Sequence, residues 1–366
     1  MKRREFVRAA AALWAASPLA KFLAADTDQP LNVLFMGGTG FIGPHMVRAV
    51  AAKGHRVTLF NRGKSNPGLF KDMELIKGDR LSEDIKQLSN RRWDIIIDSS
   101  CYVPRAVTML MDAVELDAVQ HYVFISTISV YKDFSRAGIT EESPVQILED
   151  PDSEDVNKYY GALKVVCEQR AEAALPGKVT AVRCGVIIGP GDRSDRFTYW
   201  PERVFRGGAV LAPSNGSDPV QTLDARDLAD WVAHCVENRV VGTYNATNLA
   251  GAVRFRDLLE QSRRLLNPAA AINWVPHDFL LEQGLQQMSD LPLWAAPDGP
   301  YAGVWQVNSE KASLAGLKHR PLQQSIEDTH QWFQSQPPAR REKLRAGLSA
   351  EREAEVLAAW RASENS

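Results

Sequence analysis

Cysteine is scarce in this chain. Its four cysteines, Cys101, Cys167, Cys184 and Cys235, show neither metal-ligand nor redox spacing, so they read as small buried thiols. The seven histidines form no H-E-x-x-H pattern and no acidic triplet suggests a divalent site, so no metal is expected. Charge of one sign is also missing. Lys and Arg number 43 against 45 Asp and Glu, interspersed, for a net charge of −2, without the basic stripe of a nucleic-acid binder. No apolar run makes a convincing membrane-spanning helix: residues 9–25 are Ala-rich but broken by Pro18 and Lys21. No internal repeat is visible. What remains is ample apolar content over 366 residues, enough for two domains or one large one.

The most informative stretch is Gly37-Gly38-Thr39-Gly40-Phe41-Ile42-Gly43, directly after the apolar run 31–36. Gly37 suits a tight turn, Gly40 a close approach of backbone to phosphates, and Gly43 the packing of a helix on its strand. The helix that follows would supply free N–H groups and a positive dipole end to an anion. Ile42, Met46, Ala49 and Val50 share one helical face, and a second apolar run, 55–60, follows Gly54. Thr39, Phe41 and Ile42 complete the loop as dinucleotide contacts.

Strand patterns at 31–36, 55–60, 73–77, 93–98, 121–126 and 178–184 alternate with helical ones at 42–53, 82–90, 104–117 and 156–174. That is an α/β, doubly wound parallel Rossmann sheet with right-handed crossovers. Its strands are almost wholly apolar, as helices on both faces require. The dinucleotide-binding domain is placed at 31–188. A smaller, mixed substrate domain is placed at 189–335, with the helix after Leu223 returning to the main sheet. Residues 280–303 read as a lid or insertion. Leu322, Ile326, Thr329 and Phe333 form one packing face, and 336–366 is a charged helical tail that docks on this protein or on a partner.

Tyr160 and Lys164 lie one helical turn apart and project from one face. An ammonium beside a phenol favours phenolate, lowering its pKa, and can also hold a ribose. The hydroxyls of Ser126-Thr127-Ile128-Ser129 close the strand ending near 126, where parallel sheets bind ligands. Tyr159, five residues before Lys164, turns off the lysine's face.

Together these residues resemble the extended short-chain dehydrogenases/reductases, specifically the NAD(P)-dependent sugar-nucleotide epimerase/dehydratase group. The resemblance covers about 31–335 and includes Gly78-Asp79, 186–192, Asp224-Ala225-Arg226-Asp227 and Tyr244-Asn245-Ala246-Thr247. It implies a catalytic set of Thr127, which polarises the reacting oxygen, Tyr160 as general acid/base, and Lys164 orienting the nicotinamide ribose. It implies a cofactor set of Gly37, Thr39, Gly40, Phe41, Ile42, Gly43, Asn61, Arg62, Asp79 against the adenine, Arg80, Ser99 and Lys164. A dimer through 104–117 and 156–174 would follow from the same resemblance.

Departures narrow the chemistry. The Asp-Glu pair of the 4,6-dehydratases is Ile128-Ser129 here, and isoleucine moves no proton, which argues against that dehydration. The second strand ends in Asn61-Arg62-Gly63-Lys64 where an NAD enzyme would present an acid to the ribose, favouring NADP(H) while NAD stays open. Ser129, Arg196, Tyr199, Trp200, Arg203 and Gln221 are the substrate candidates, with Trp294 behind them, because carboxylates, guanidiniums and aromatic faces bind polyols.

Lys2-Arg3-Arg4 with Phe6-Val7-Arg8 and the Ala-rich stretch resemble a twin-arginine export signal over 1–25, giving a periplasmic protein. An uncleaved anchor and a plain basic leader on a cytoplasmic protein are the other readings. The expected function is an NAD(P)-dependent oxidoreductase or epimerase acting on a sugar or polyol-like small molecule, with no nucleic-acid partner. The alternative is a non-catalytic dinucleotide- or RNA-binding protein, because 57–63 and 78–80 also resemble the chloroplast stem-loop-binding branch of the fold.

Overall fold

The computed structural model describes residues 29–150 and 153–364; residues 1–25, read as resembling an export signal, lie outside them. Eleven strands are described: β1 (Asn32–Met36), β2 (Arg56–Asn61), β3 (Glu74–Lys77), β4 (Ile95–Asp98), β5 (His121–Thr127), β6 (Val179–Cys184), β7 (Val186–Ile188), β8 (Ala209–Pro213), β9 (Thr222–Asp224), β10 (Gly242–Ala246) and β11 (Ala271–Val275). The described helices are α1 (Gly43–Ala51), α2 (Pro104–Ala113), α3 (Val156–Ala174), α4 (Tyr199–Arg206), α5 (Ala225–Asn238), α6 (Phe255–Leu266), α7 (His277–Glu282), α8 (Glu310–Leu314), α9 (Leu322–Gln334), α10 (Pro338–Arg341) and α11 (Ala350–Glu364).

Seven strands form one parallel sheet in the order β10-β6-β5-β4-β1-β2-β3. The order reverses between β1 and β4, so their carboxyl ends open a crevice. Alternation along β1 divides the core: Val33 and Phe35 face α1 and α5 with Met46, Val50, Trp231 and Val232, whereas Leu34 and Met36 face α2 and α3 with Leu110 and Cys167. Covered on both faces, β5 is buried along its whole length. The helix after Leu223, α5, packs on this sheet, and β10, which the sequence reading did not assign to it, pairs with β6 at its edge.

Two helical spans are shorter than expected. Residues 82–90 hold a 3₁₀ turn, Glu83–Leu88, because its only buried side chains, Ile85 and Leu88, are three apart and eclipse at three residues per turn. The helix expected over 104–117 stops at Ala113, where Val114 turns extended.

The second lobe packs β8, β11, α4 and α6 around Trp200, Phe255 and Trp294. Within 280–303, read as a lid or insertion, Leu291 to Ala296 are buried in this core, and Trp294 Nε1 donates to Asp218 at 2.8 Å. The tail docks on its own protein, with Val356 and Leu357 in the same core and Glu353 accepting from Arg203 at 2.5 Å and from the Leu211 N–H at 2.8 Å. Ile326, Thr329 and Phe333 face inward as the spacing predicts.

Candidate functional site

A cavity of about 1000 Å³ opens at the carboxyl ends of the strands and reaches the second lobe. Its floor is the glycine loop. Gly37 and Gly38 hold φ of +104° and +89°, which side chains rarely adopt. A Cβ on Gly43 would lie 2.6 Å from the Gly38 carbonyl carbon, whereas Gly40 has nothing within 4 Å and faces open space. The start of α1 has no side-chain cap, leaving its first N–H groups to a ligand. This cradle fits a dinucleotide pyrophosphate.

Asn61 braces the loop, donating to the Gly37 carbonyl at 2.8 Å and accepting from the Gly63 N–H at 2.8 Å. Asn66 does the same for the Thr39 carbonyl at 2.8 Å. Arg62 and Lys64 stand exposed on the rim, and Asp79 lines the wall while accepting from the Leu81 N–H. Ser99 lines the cavity too, with its hydroxyl donated to Met36. Arg80 is different from the expectation. Its guanidinium grips Asp98 with two bonds of 2.7 Å and also reaches Ser100 and the Ala106 carbonyl, so it is a structural cation rather than a free cofactor contact. Burial pushes the Asp98 carboxyl up, and Arg80, the Ser100 N–H and Tyr122 outweigh it, leaving Asp98 below its ordinary range.

Thr127, Ser129, Tyr160 and Lys164 all line the same cavity, and Tyr159 does not. The helix kinks at Tyr159, where φ is −121° and ψ 24°, separating the two phenols. Thr127 Oγ1 donates to Ser129 Oγ at 3.2 Å and accepts from the Ser129 N–H at 3.1 Å. Lys164 donates to the carbonyls of Ile125 at 2.6 Å and Cys101 at 2.9 Å, and burial holds its pKa below the usual lysine value. The Tyr160 phenol is not lowered as the lysine spacing suggests. Burial, with the nearby Tyr102, pushes it up to about 12, against a downward pull from a hydrogen bond with Thr127. Gly161 is a residue that motif reading missed: a Cβ there would overlap the Ser129 carbonyl oxygen, so only glycine lets α3 bring Tyr160 this close to the end of β5.

Of the substrate candidates, Ser129 and Arg196 reach the cavity, Arg196 from an exposed loop with its Nε on Ser194 at 3.2 Å. Tyr199, Trp200, Arg203 and Gln221 do not. Tyr199 and Trp200 face the second-lobe core, and Trp200 Nε1 donates to the Pro292 carbonyl at 2.7 Å. Arg203 is held by Glu353 and by the carbonyls of Gly207 and Ala209. Gln221 exchanges bonds with the backbone of Val307 and donates to Asn248. Trp294 is likewise core. The cavity is also lined by Tyr102, Phe134, Arg193, Met288, Leu293, Tyr301, Val304 and Trp305. They lie far apart in the chain, and only folding brings them together.

A parallel sheet reversing at β1 and β4, with a glycine cradle and a Tyr–Lys pair on one cavity, defines a Rossmann-like α/β protein of the extended dehydrogenase/reductase type. Residues 33–250 match the model of the NAD dependent epimerase/dehydratase family, and the chain belongs to that family. It is 28% identical over 228 residues to chloroplast stem-loop binding protein of 41 kDa b from Arabidopsis thaliana, covering 57% of this chain and 56% of that protein. The chain thus spans little more than half the length of that relative. It is 24% identical over 272 residues to 2'-dehydrokanamycin reductase from Streptomyces kanamyceticus, covering 70% and 72%. Among solved structures, UDP-glucuronic acid 4-epimerase from Bacillus cereus in complex with NAD superposes with a TM-score of 0.59 at 15% identity, covering 82% of this chain and 98% of that one. That likeness is one of fold.

Proposed function

We propose that this protein is an NADP(H)-dependent oxidoreductase that interconverts a secondary alcohol and its carbonyl, either as a net reaction or as the halves of an epimerisation. The observation that carries it is the opening of Thr127, Tyr160 and Lys164 onto the cavity whose floor is the glycine loop. A nicotinamide dinucleotide held by that loop supplies the hydride donor or acceptor. Tyr160 Oη gives its proton to the substrate oxygen during reduction and takes it back during oxidation. Thr127 Oγ1 hydrogen-bonds the same oxygen and fixes its position. Lys164 has three N–H groups, of which two are spent on carbonyls, so one is available for a ribose hydroxyl.

The choice of NADP(H) follows from Arg62 and Lys64 on the rim beside Asn61, with no carboxylate at the end of β2 to repel a 2′-phosphate. The polyol reading has lost four of its contacts to the core, and Ser129 and Arg196 alone do not define a sugar. Export to the periplasm is part of the proposal on the strength of residues 1–25. Replacing Arg3 and Arg4 by lysine should then retain the protein in the cytoplasm on fractionation.

The test is to purify the full chain natively, denature it, and identify any released dinucleotide by mass and absorbance. NADP in near-stoichiometric amount, or NADP(H) binding on addition, is the expected result. A protein that neither carries nor binds a dinucleotide would overturn the catalytic reading in favour of a binding protein.

A further inference from the structure

Two carbonyls of the glycine loop are taken by asparagines from one neighbouring segment. Asn61, at the end of β2, donates to that of Gly37, and Asn66, in the β2–β3 loop, donates to that of Thr39, each at 2.8 Å. In a trans peptide the N–H points opposite to the carbonyl it follows, so the N–H groups of Gly38 and Gly40 are turned away from the asparagines. Both glycines line the cavity, and neither N–H has a partner among the described residues.

The segment that supplies these amides also carries the rim cations. Arg62, Lys64 and Ser65 line the cavity with exposed side chains, and no carboxylate among the described residues pairs with Arg62 or Lys64. Phe70 is the first side chain after β2 to pack on a core, and the Arg48 guanidinium of α1 lies 5.3 Å from its ring centre. Over residues 62–69, the Asn66 amide makes the one hydrogen bond, among the described residues, that reaches beyond β2 and its loop. Asn66 holds φ of 45°, a left-handed conformation that asparagine tolerates, and its own carbonyl accepts from the Leu69 N–H at 3.0 Å. Asn66 does not itself line the cavity, so its influence on a ligand runs through the loop.

We propose that Asn66 is the positioning residue that sets the preference for a 2′-phosphate. Clipped to Thr39, the β2–β3 loop presents Arg62, Lys64 and Ser65 as one preformed site for a phosphate monoester, beside the cradle for the pyrophosphate. The two cations neutralise the phosphate, and the Ser65 hydroxyl donates to one of its oxygens. Without the clip, residues 62–68 are an exposed stretch holding two glycines, and ordering it would be charged against binding. One asparagine outside the cavity thus couples the two phosphate sites. This rests on the NADP(H) reading.

The test is fluorescence titration of the full chain with NADPH and with NADH. Asn66→Gly removes the amide and keeps the left-handed backbone, and at an exposed position the fold should survive it. It should raise the Kd for NADPH roughly five- to tenfold and that for NADH less than about twofold. With Arg62 and Lys64 already replaced by alanine, the same substitution should cost NADPH less than about twofold, because the loop then has no charge to position. Equal weakening of the two dinucleotides would confine Asn66 to the glycine loop and overturn the inference. Unchanged NADPH affinity, or an undiminished loss in the alanine background, would do the same. A wild type that binds NADPH no better than NADH would instead overturn the choice of NADP(H), and this inference with it.

Discussion

Lys164 Nζ lies 2.6 Å from the carbonyl oxygen of Ile125, two residues before Thr127 on the same strand. The lysine therefore ties α3 to the end of β5 while its ammonium sits 4.1 Å from the centre of the Phe124 ring. Replacing it with methionine removes a desolvated charge but leaves the Ile125 and Cys101 carbonyls unpaired, at roughly 1–3 kcal/mol each. Lys164→Met should lower the melting temperature by several degrees and weaken dinucleotide binding at least tenfold. Calorimetry and a fluorescence titration with NADPH check both. Unchanged NADPH affinity would confine the lysine to a structural role.

Tyr160 should stay protonated well past neutrality in the free protein, since burial lifts it to about 12. The difference in tyrosinate absorbance between wild type and Tyr160→Phe should be flat from pH 7 to pH 10. A step in that difference near pH 7 or 8 would mean that Lys164 dominates the phenol after all. With a substrate in hand, Tyr160→Phe should reduce turnover by roughly 10²- to 10⁴-fold, the usual reach of a positioned acid or base.

Arg62 and Lys64 are exposed at the cavity rim beside the braced loop of Asn61. If they face a 2′-phosphate, replacing both with alanine should raise the Kd for NADPH at least tenfold and move that for NADH less than twofold. Equal losses for the two dinucleotides would place the arginine and lysine on the shared part of the molecule, and the preference for NADP(H) would fall.

The sheet was legible because its strands are buried on both faces and so read as unbroken apolar runs, β5 most clearly. The glycine loop and the Tyr160–Lys164 pair were legible because local geometry, a turn and one helical repeat, sets their spacing. Orientation was not. Tyr199, Trp200 and Arg203 have the chemistry of sugar contacts, but α4 is short and its aromatic face meets α6 across Phe255. Nothing within the helix says which way it turns. Arg80 was read as a cofactor contact, and its ion pair with Asp98 was not visible, because the two meet only when β3 and β4 flank β1 and β2. Trp305 carries no local signal at all.

Acid should weaken the fold through His121. The side chain is fully buried at the start of β5, 2.6 Å from Thr180 Oγ1. Burial first, then the positive charge of Arg239, pushes its pKa down to about 4. In the unfolded chain it takes up a proton near pH 6.5. The unfolded state thus binds more protons between those two values. Stability from this group is whole above about pH 6.5, is lost as the pH falls, and is gone below about pH 4. At about 1.4 kcal/mol per pH unit the loss comes to roughly 3 kcal/mol. Urea unfolding at pH 7, 5.5 and 4 should show that slope in the wild type and a flatter one in His121→Gln. An equal slope in both would assign the acid sensitivity to other groups.

The tail should reach the cavity through Asp195. This carboxylate is fully buried at a left-handed φ of 61°, and it accepts from Arg340 at 2.5 Å and from the Arg345 N–H at 2.8 Å. Its loop carries Arg193, Ser194 and Arg196 to the cavity wall. Removing one partner of a buried pair costs about 3–5 kcal/mol, and the partial exposure of Arg340 puts Arg340→Ala toward the lower figure. The glycine loop is braced separately by Asn61 and Asn66, so NADPH affinity should hold while substrate affinity drops about tenfold. Adding Asp195→Asn to Arg340→Ala removes the stranded charge and should recover part of the stability, and the double-mutant cycle measures how much the pair is coupled. Independent, additive effects of the two substitutions on stability, with substrate affinity unmoved, would detach the tail from the site.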